Sequence, residues 1–511
     1  MRGPHNILRL ARTGATFERS GAMKVLLDAY EAPPLLRMAA RVIGWPLQWL
    51  GLKGDPAMPP VPRALTALGP AYIKFGQVLS TRPDLVGDEL ALQLRVLQDK
   101  LPPFPLAEAR RAVESELGLP LPALFSEFSE PVAAASIAQV HKARLAETGE
   151  EVAVKILRPG IERAFRKDVD AFYFAAAFIE TLAPFSRRLR PSEVVKHFDG
   201  VVRGELDLRL EAASASEFAA NTASDAGFRL PEVKWQQSAR RVMTLGWAEG
   251  VSMGDNAALD AAGHDRVELG QRVLQLFLSH ALRDGFFHAD MHQGNLKVAA
   301  DGDIIAYDFG IMGHIDEYTR RVYAEILYGF IRRDYQRVAE VHFEAGYVPP
   351  DRDVDEFARA LRAVGEPIFG MDATRISMGR LLSYLFEVTE RFGMETRTEL
   401  ILLQRTMVVV EGVARSLDPN INIWRVARPV VEDYIRQNLG PRALARDLKK
   451  TALVVARFGP RLPVLVERAL VQQMNEDAAD DHRRSRAWMG WGLLGLGVGG
   501  AFGALAVLAF Q

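Results

Sequence analysis

The apolar positions of this chain change their period along its length. Up to about residue 60 they recur at three- and four-residue intervals, which predicts amphipathic helices, and the run closes on the proline-rich linker "GDPAMPPVP". Residues 63–128 keep the helical period, interrupted by turns at "LPPFP" and "LGLPLP". The stretch "VAAASIAQVHKARLAETGEEVAVKIL" then alternates apolar with polar residues around a "TGE" turn and ends in a β-branched run, the pattern of a hairpin of strands. Residues 161–222 return to helix. "FRLPEVKW" and "ARRVMTLGW" predict two further strands, and "DRVELGQRVLQLFLSHALRDGFF" a long helix that feeds the octapeptide "HADMHQGN" at 288–295. "GDIIAYDFG" predicts short strands, and from Glu317 to about Met474 nearly everything is helical. The expected order is helices, a small sheet, then a large helical lobe, with no internal repeat before the tail.

Composition narrows this pattern. The 511 residues are 49% hydrophobic and 25% charged, ordinary globular values with more material than one core needs. A formal net charge of −1 supplies no global field toward nucleic acid or anionic lipid. Cysteine is absent, which excludes disulfides, zinc–thiolate sites and thiol catalysis. Near the N-terminus charges interrupt every apolar run, so no signal peptide is expected. Residues 487–510 differ. They run without a charge for about 36 Å as a helix, enough for a ~30 Å hydrocarbon core. Their glycine content would be costly in a water-soluble helix. "HRRSR" just before them predicts a single C-terminal span with the bulk of the chain in the cytoplasm. Gly495, Gly499 and Gly503 form a helix-packing face suited to a homodimer or another partner.

The octapeptide is compatible with a metal site, a hydrolase loop or an ATP-handling loop. His288 and His292 stand at i and i+4, which suits zinc on a helix. Gly294 and the flanking strands predict a loop instead, in which His288 orients the backbone. Downstream, "DFG" at 308–310 completes the spacing Asp290-x4-Asn295…Asp308-Phe-Gly that protein-kinase-like folds set on their nucleotide. Hard Mg2+ wants oxygen ligands: Asp308 offers a carboxylate and Asn295 an amide oxygen. Asp290 can accept a proton from, or orient, a hydroxyl or water. Upstream, "VAVK" ends in Lys155 on a predicted strand, where such folds hold the α- and β-phosphates of ATP. The phosphate-covering loop departs from the pattern. "PVAAASIAQVH" contains no glycine; its alanines let backbone amides approach phosphate but lack glycine's freedom at positive φ.

These segments together resemble the UbiB family, the atypical kinase-like proteins of ubiquinone biosynthesis. "AAASIAQVH" is similar to the family's alanine-rich nucleotide loop, "KFGQVLSTRPDL" to its K-x-G-Q signature, "ELDLRLEAASASEF" to its E-x-D segment, and "HADMHQGN" with "DFG" to its catalytic elements. The resemblance covers roughly residues 60–320. It implies an α+β, protein-kinase-like bilobal fold: an N-terminal amphipathic region and linker (1–62), a helical extension (63–128), an N-lobe with inserted helices (129–250), a helical C-lobe (251–475) and a transmembrane helix (487–510). It implies Mg2+ and ATP as cofactors. Val132, Ala133, Ala134, Ala135, Ser136, Ile137, Ala138, Gln139 and Val140 would line ATP, Lys155 would hold its phosphates, and Glu211 would pair with Lys155. Asp290 would be the catalytic aspartate, with Asn295 and Asp308 on the metal. Glu205 and Asp207 would meet Lys74 and Gln77 of the K-x-G-Q segment, which includes Gly76, and lay the extension across the peptide site. Asp207 and Glu211, four apart, would share one helical face.

Three departures accompany the resemblance. Gly246 in "MTLGWAEG" stands where the family places an acidic residue. Met291 and Gln293 replace common prolines, which predicts a looser loop. The second span of the tail would fall on residues 452–472, whose Arg457, Arg461, Glu467 and Arg468 predict an amphipathic surface helix instead. The function implied is a Mg–ATP-dependent, inner-membrane ATPase that supports ubiquinone assembly, with polyprenyl intermediates and other ubiquinone enzymes as partners and no nucleic acid. A true phosphotransferase and a nucleotide-gated scaffold are the alternatives. The polyprenylphenol hydroxylation stage is expected to be assisted rather than performed: there is no flavin-type G-x-G-x-x-G and no facial-triad metal set.

Overall fold

The computed structural model describes residues 6–29, 37–38, 45–80, 86–94, 96–97, 103–135, 137–182, 191–370, 388, 391–394 and 398–438. The chain divides into two units, Met1–Val431 and Glu432–Gln511. The candidate site lies in the first; of the second, the described part is the end of one helix. The expected span at 487–510 and the amphipathic segment at 452–472 lie outside the described residues. Among those that are described, no helix is long and apolar enough to cross a membrane.

Helices lead the chain: α1 (Asn6–Ser20), α2 (Pro60–Leu68), α3 (Pro70–Ser80), α4 (Asp88–Leu94) and α5 (Leu106–Leu117). Pro60 and Pro62 sit in the first turn of α2, where the missing N–H costs nothing. α5 stops at Gly118, whose left-handed φ of 71° lets its N–H return to the Glu114 carbonyl. The first sheet follows: β1 (Phe125–Ala134), β2 (Ala138–Leu145) and β3 (Glu151–Leu157), then β5 (Val242–Gly246), antiparallel in the order β1-β2-β3-β5. Pro131 is tolerated because β1 is the edge strand and its register shifts there. On β3 the period of two buries Val152, Val154 and Ile156 against Val113 of α5 and Phe125. Lys155 therefore faces the other way.

Between β3 and β5 come α6 (Ile161–Leu182), α7 (Pro191–Glu205) and α8 (Leu208–Thr222). Phe75 of α3 packs on Phe172 of α6 and Phe198 of α7 at ring-centroid distances of 5.0 and 5.1 Å. The extension thus shares one apolar core with the helices inserted after β3. "FRLPEVKW" is split rather than one strand: Val233 makes an isolated antiparallel bridge to Leu245 of β5, and Phe228–Arg229 joins another sheet. β4 (Phe228–Arg229) pairs in parallel with β9 (Ile304–Ala306) in a second sheet ordered β4-β9-β8-β6, with β6 (Val251–Ser252) and β8 (Leu296–Val298). Pro231, which has no N–H to give a ladder, follows at once.

The helical lobe comprises α9 (Arg266–Ser279), α10 (Glu317–Arg332), α11 (Tyr335–Glu344), α12 (Val354–Gly370), α13 (Thr398–Leu417) and α14 (Ile423–Asn438). Asp265, Asp316 and Asp334 cap α9, α10 and α11 by accepting backbone N–H bonds. α9 ends in one π-helical turn, His280–Asp284, before β7 (Phe286–His288), which pairs with β10 (Met312–His314). That hairpin-like pair carries 288–295 out of one strand and receives the chain after 308–310 into the other.

Candidate nucleotide site

Lys155 leaves β3 on the face opposite Val154. Its Nζ lies 2.6 Å from Glu211 Oε1 and 3.7 Å from Asp308 Oδ2. Glu211 reaches this point because α8 begins just before it. Asp207 is the N-cap, in extended conformation at φ −130°, and its carboxylate accepts the Arg209 N–H. Asp207 is therefore not on a shared helical face with Glu211. Burial works against the Lys155 ammonium, but the carboxylates of Asp308 and Glu211 override it and hold the pKa above the usual lysine range. Lys155 in turn holds the Asp308 carboxyl below its ordinary value, aided by the Gly310 N–H at 3.1 Å. Burial pushes the Glu211 carboxyl above its ordinary range, against the pull of the Lys155 ammonium. Asp308 keeps 45% of its side-chain surface accessible because it faces an open cavity of 840 Å3.

The octapeptide forms the floor. His288 is buried, which keeps its imidazole below the ordinary range, and its Nδ1 accepts the Asp290 N–H at 3.0 Å. His292 caps a 3-10 turn, Gln293–Asn295: its Nδ1 accepts the Gly294 N–H at 2.9 Å, and its Nε2 stands 3.7 Å from Asp290 Oδ2. Both Nδ1 atoms are engaged by backbone amides, so the two histidines orient the loop. Gly294 is required by this cap, since a Cβ there would come within 2.8 Å of His292 Cε1. The two positions where a looser loop is expected each have an attachment. Met291 is buried, and the Gln293 amide donates to Ser416 Oγ of α13.

Asn295 Nδ2 donates to the Asp290 carbonyl at 3.0 Å and to Asp290 Oδ2 at 3.4 Å. The carbonyl demands a donor, which fixes the amide orientation and leaves Asn295 Oδ1 without a partner among the described residues. A partnerless amide oxygen and an ionised, cavity-facing carboxylate are the hard oxygen donors that Mg2+ takes, with waters for the rest. The residues fit that ion.

The alanine-rich stretch closes the cavity from above. Val132, Ala133, Ala134, Ala135, Ile137, Ala138, Gln139 and Val140 line it with Ala153, Met243 and Leu245; Ser136 lies outside the described residues. Gln139 has a second attachment behind the cavity wall. Its side chain is buried, accepting the Phe104 N–H at 3.0 Å and donating to the Phe104 carbonyl at 3.3 Å and to His141 Nε2 at 2.8 Å. β2 alternates, so the Gln139 side chain turns toward Phe104 and His141. Near Gly246, the Gly246 and Trp247 N–H groups are committed to Glu232 O and Glu151 O, at 2.9 Å each.

Lys297 escaped the sequence reading. It lies on β8, two residues after Asn295 ends the 3-10 turn, and lines the same cavity between the buried Leu296 and Val298; the alternating "LKV" was a usable signal. Its ammonium donates to the Ala248 carbonyl at 2.8 Å and stands 5.2 Å from the Trp247 ring centroid. The extension reaches the same cavity. Lys74 Nζ pairs with Glu205 Oε1 at 2.6 Å, and both line the wall. Asp207 and Gln77 do not meet: Asp207 turns to Arg209 at 2.6 Å, and Gln77 donates to the Leu97 carbonyl at 3.3 Å. The N-cap geometry of α8 points the Asp207 carboxylate back at its own helix. Gly76 sits where a Cβ would be 2.6 Å from Leu65 Cδ1, so its absence of side chain lets α3 approach α2 and α4.

A small antiparallel sheet over a helical lobe, with a strand lysine, a helix glutamate and a loop aspartate meeting in the cleft, defines a protein-kinase-like fold. Comparison with known proteins gives the family. Residues 96–342 match the ABC1 atypical kinase-like domain and residues 361–422 the UbiB helical domain. A protein of Marinobacter nauticus named "Probable protein kinase UbiB" is 40% identical over 427 residues, 83% of this chain and 78% of that protein. One of the same name from Aeromonas hydrophila is 41% identical over 434 residues, 83% and 80% of the two chains. A solved structure titled as the complex of Rv3197 with erythromycin from Mycobacterium tuberculosis superposes with a TM-score of 0.51 at 28% identity, covering 70% of this chain and 90% of that one. The chain belongs to the UbiB family of ABC1 atypical kinase-like proteins.

Proposed function

We propose that this chain is a Mg–ATP-dependent, kinase-like ATPase that supports ubiquinone biosynthesis at the bacterial inner membrane, including the polyprenylphenol hydroxylation stage, without performing the hydroxylation. The observation that carries the reading is the ion cluster of Lys155, Glu211 and Asp308 in one cavity. Three ionisable groups held this close in a cleft are the provision phosphoryl chemistry needs. Lys155 neutralises the α- and β-phosphates, and Glu211 fixes where its ammonium stands. Asn295 and Asp308 would hold Mg2+, which would neutralise phosphate charge when bound. Asp290, kept in orientation by the Asn295 amide and the His292 ring, accepts the proton of a water or hydroxyl nucleophile or simply aims it.

Hydrolysis is favoured over transfer to a peptide by the Lys74–Glu205 pair, which sets the extension into the wall of the same cavity. The acceptor proposed is water, and the partners are polyprenyl ubiquinone intermediates in a lipid surface, with other ubiquinone enzymes nearby and no nucleic acid. A C-terminal anchor at 487–510 and a glycine face for a second copy belong to the same proposal. Phosphate release from Mg–ATP, in cardiolipin-containing liposomes with and without a polyprenylphenol analogue, tests it, with Asp308→Asn as the control. Turnover that the analogue raises and the variant abolishes supports the reading. Label moving onto the analogue or a protein would make the chain a phosphotransferase, and equal silence of both proteins while nucleotide still binds would make it a scaffold.

A further inference from the structure

One side chain holds the alanine-rich turn from behind. Arg158 lies just beyond β3, and its Nε and Nη2 both donate to the Ala135 carbonyl, at 3.2 and 3.0 Å. Its backbone N–H donates to the Ile137 carbonyl at 2.8 Å. The turn itself is closed by the Ala135 N–H to the Ala138 carbonyl, also at 2.8 Å. Behind the guanidinium stands the Phe104 ring, 5.7 Å away, whose own backbone is gripped by Gln139. Arg158 does not line the cavity; the turn stands between them.

A glycine-rich phosphate loop wraps its ligand because glycine costs little at unusual φ, and it is correspondingly mobile before binding. Alanines remove that freedom, but an edge turn with Val132 and Ala133 exposed still has many conformers open to it. Two charge-assisted donors on one carbonyl select among them. We propose that Arg158 is a positioning residue for the nucleotide phosphates: it pre-sets the alanine-rich turn so that its backbone amides meet the polyphosphate without reordering, and Phe104 fixes the guanidinium in turn. The proposal rests on the cavity being a nucleotide site.

The test uses the full chain in detergent, with Arg158→Gln, Arg158→Lys and Phe104→Leu. Affinities for Mg–ATP, Mg–ADP and adenosine are measured by calorimetry, and amide exchange at 131–140 is followed without ligand. Arg158→Gln is expected to weaken both phosphorylated ligands about tenfold, because ordering of the turn is moved into the binding step. Adenosine affinity stays as it is and exchange at 135–140 accelerates. Arg158→Lys and Phe104→Leu fall between. Equal losses for ATP and adenosine would reduce Arg158 to a packing residue and overturn the proposal. So would faster exchange with unchanged ATP affinity. If the wild type binds adenosine and ATP equally poorly, the nucleotide reading of the cavity fails first, and the proposal falls with it.

Discussion

Lys155 Nζ stands 2.6 Å from Glu211 Oε1 and 3.7 Å from Asp308 Oδ2, so one ammonium answers to two carboxylates from different elements. Replacing Lys155 by Met removes the charge that holds the Asp308 carboxyl low. Phosphate release should fall by about a hundredfold or more. The residual activity should also be lost at a higher pH on acidification, since the freed Asp308 protonates earlier. A pH–rate profile of the variant beside wild type checks both. An unshifted acid limb would mean Asp308 does not govern it.

Lys74 and Glu205 form an ion pair whose side chains keep 14% and 15% of their surface accessible. Breaking a pair this buried leaves one charge poorly solvated. Glu205→Lys should lower the melting temperature and loosen the extension, and the reversed pair Lys74→Glu with Glu205→Lys should recover part of the loss. A double-mutant cycle is expected to give a coupling of about 1–3 kcal/mol. Simple additivity would show that the extension is held by its aromatic packing alone.

Asp225 ties the end of α8 to the π-turn before β7. It meets His280 Nε2 at 3.0 Å and Arg283 at 2.6 Å, and these contacts outweigh burial and pull its carboxyl well below the usual range. A depressed folded pKa gives stability that is present above the unfolded value and lost as pH falls through the folded one. Asp225→Asn should therefore cost about 3 kcal/mol at neutral pH and flatten the stability loss below about pH 4. Urea unfolding at pH 7 and pH 3 measures it. A variant as stable as wild type at pH 7 would exclude the tie.

His342, on α11, is buried among Tyr347 and Phe357 and donates from Nδ1 to the Val338 carbonyl; burial lowers its pKa to about 4. The unfolded chain then binds a proton that the folded one refuses. Stability is full above about pH 6.5 and declines as pH falls toward about 4, by up to about 3 kcal/mol from this group. His342→Leu should flatten that stretch of the melting-temperature profile. His141, also pushed down by burial, contributes with the same sign.

The amino-acid sequence determined what depends on near neighbours. The period of two on β3 set Lys155 opposite Val154, and the short loop at 288–295 brought Asp290 beside Asn295 through a single 3-10 turn. Residue order and small-residue content marked the turn above the cavity and the Asp308 loop. Tertiary structure decided what depends on distant approach. Glu211 meets Lys155 across 56 positions because α6 and α7 fold out between them, and Lys74 meets Glu205 only when the aromatic stack of α3, α6 and α7 closes. Helix capping turned Asp207 onto Arg209, strand alternation turned Gln139 onto Phe104, and Arg158 came to rest behind Ala135. Periodicity is written in a few adjacent residues, because backbone geometry repeats locally. Which carboxylate a lysine meets is set by loop closure and core packing, and no short stretch of sequence contains those.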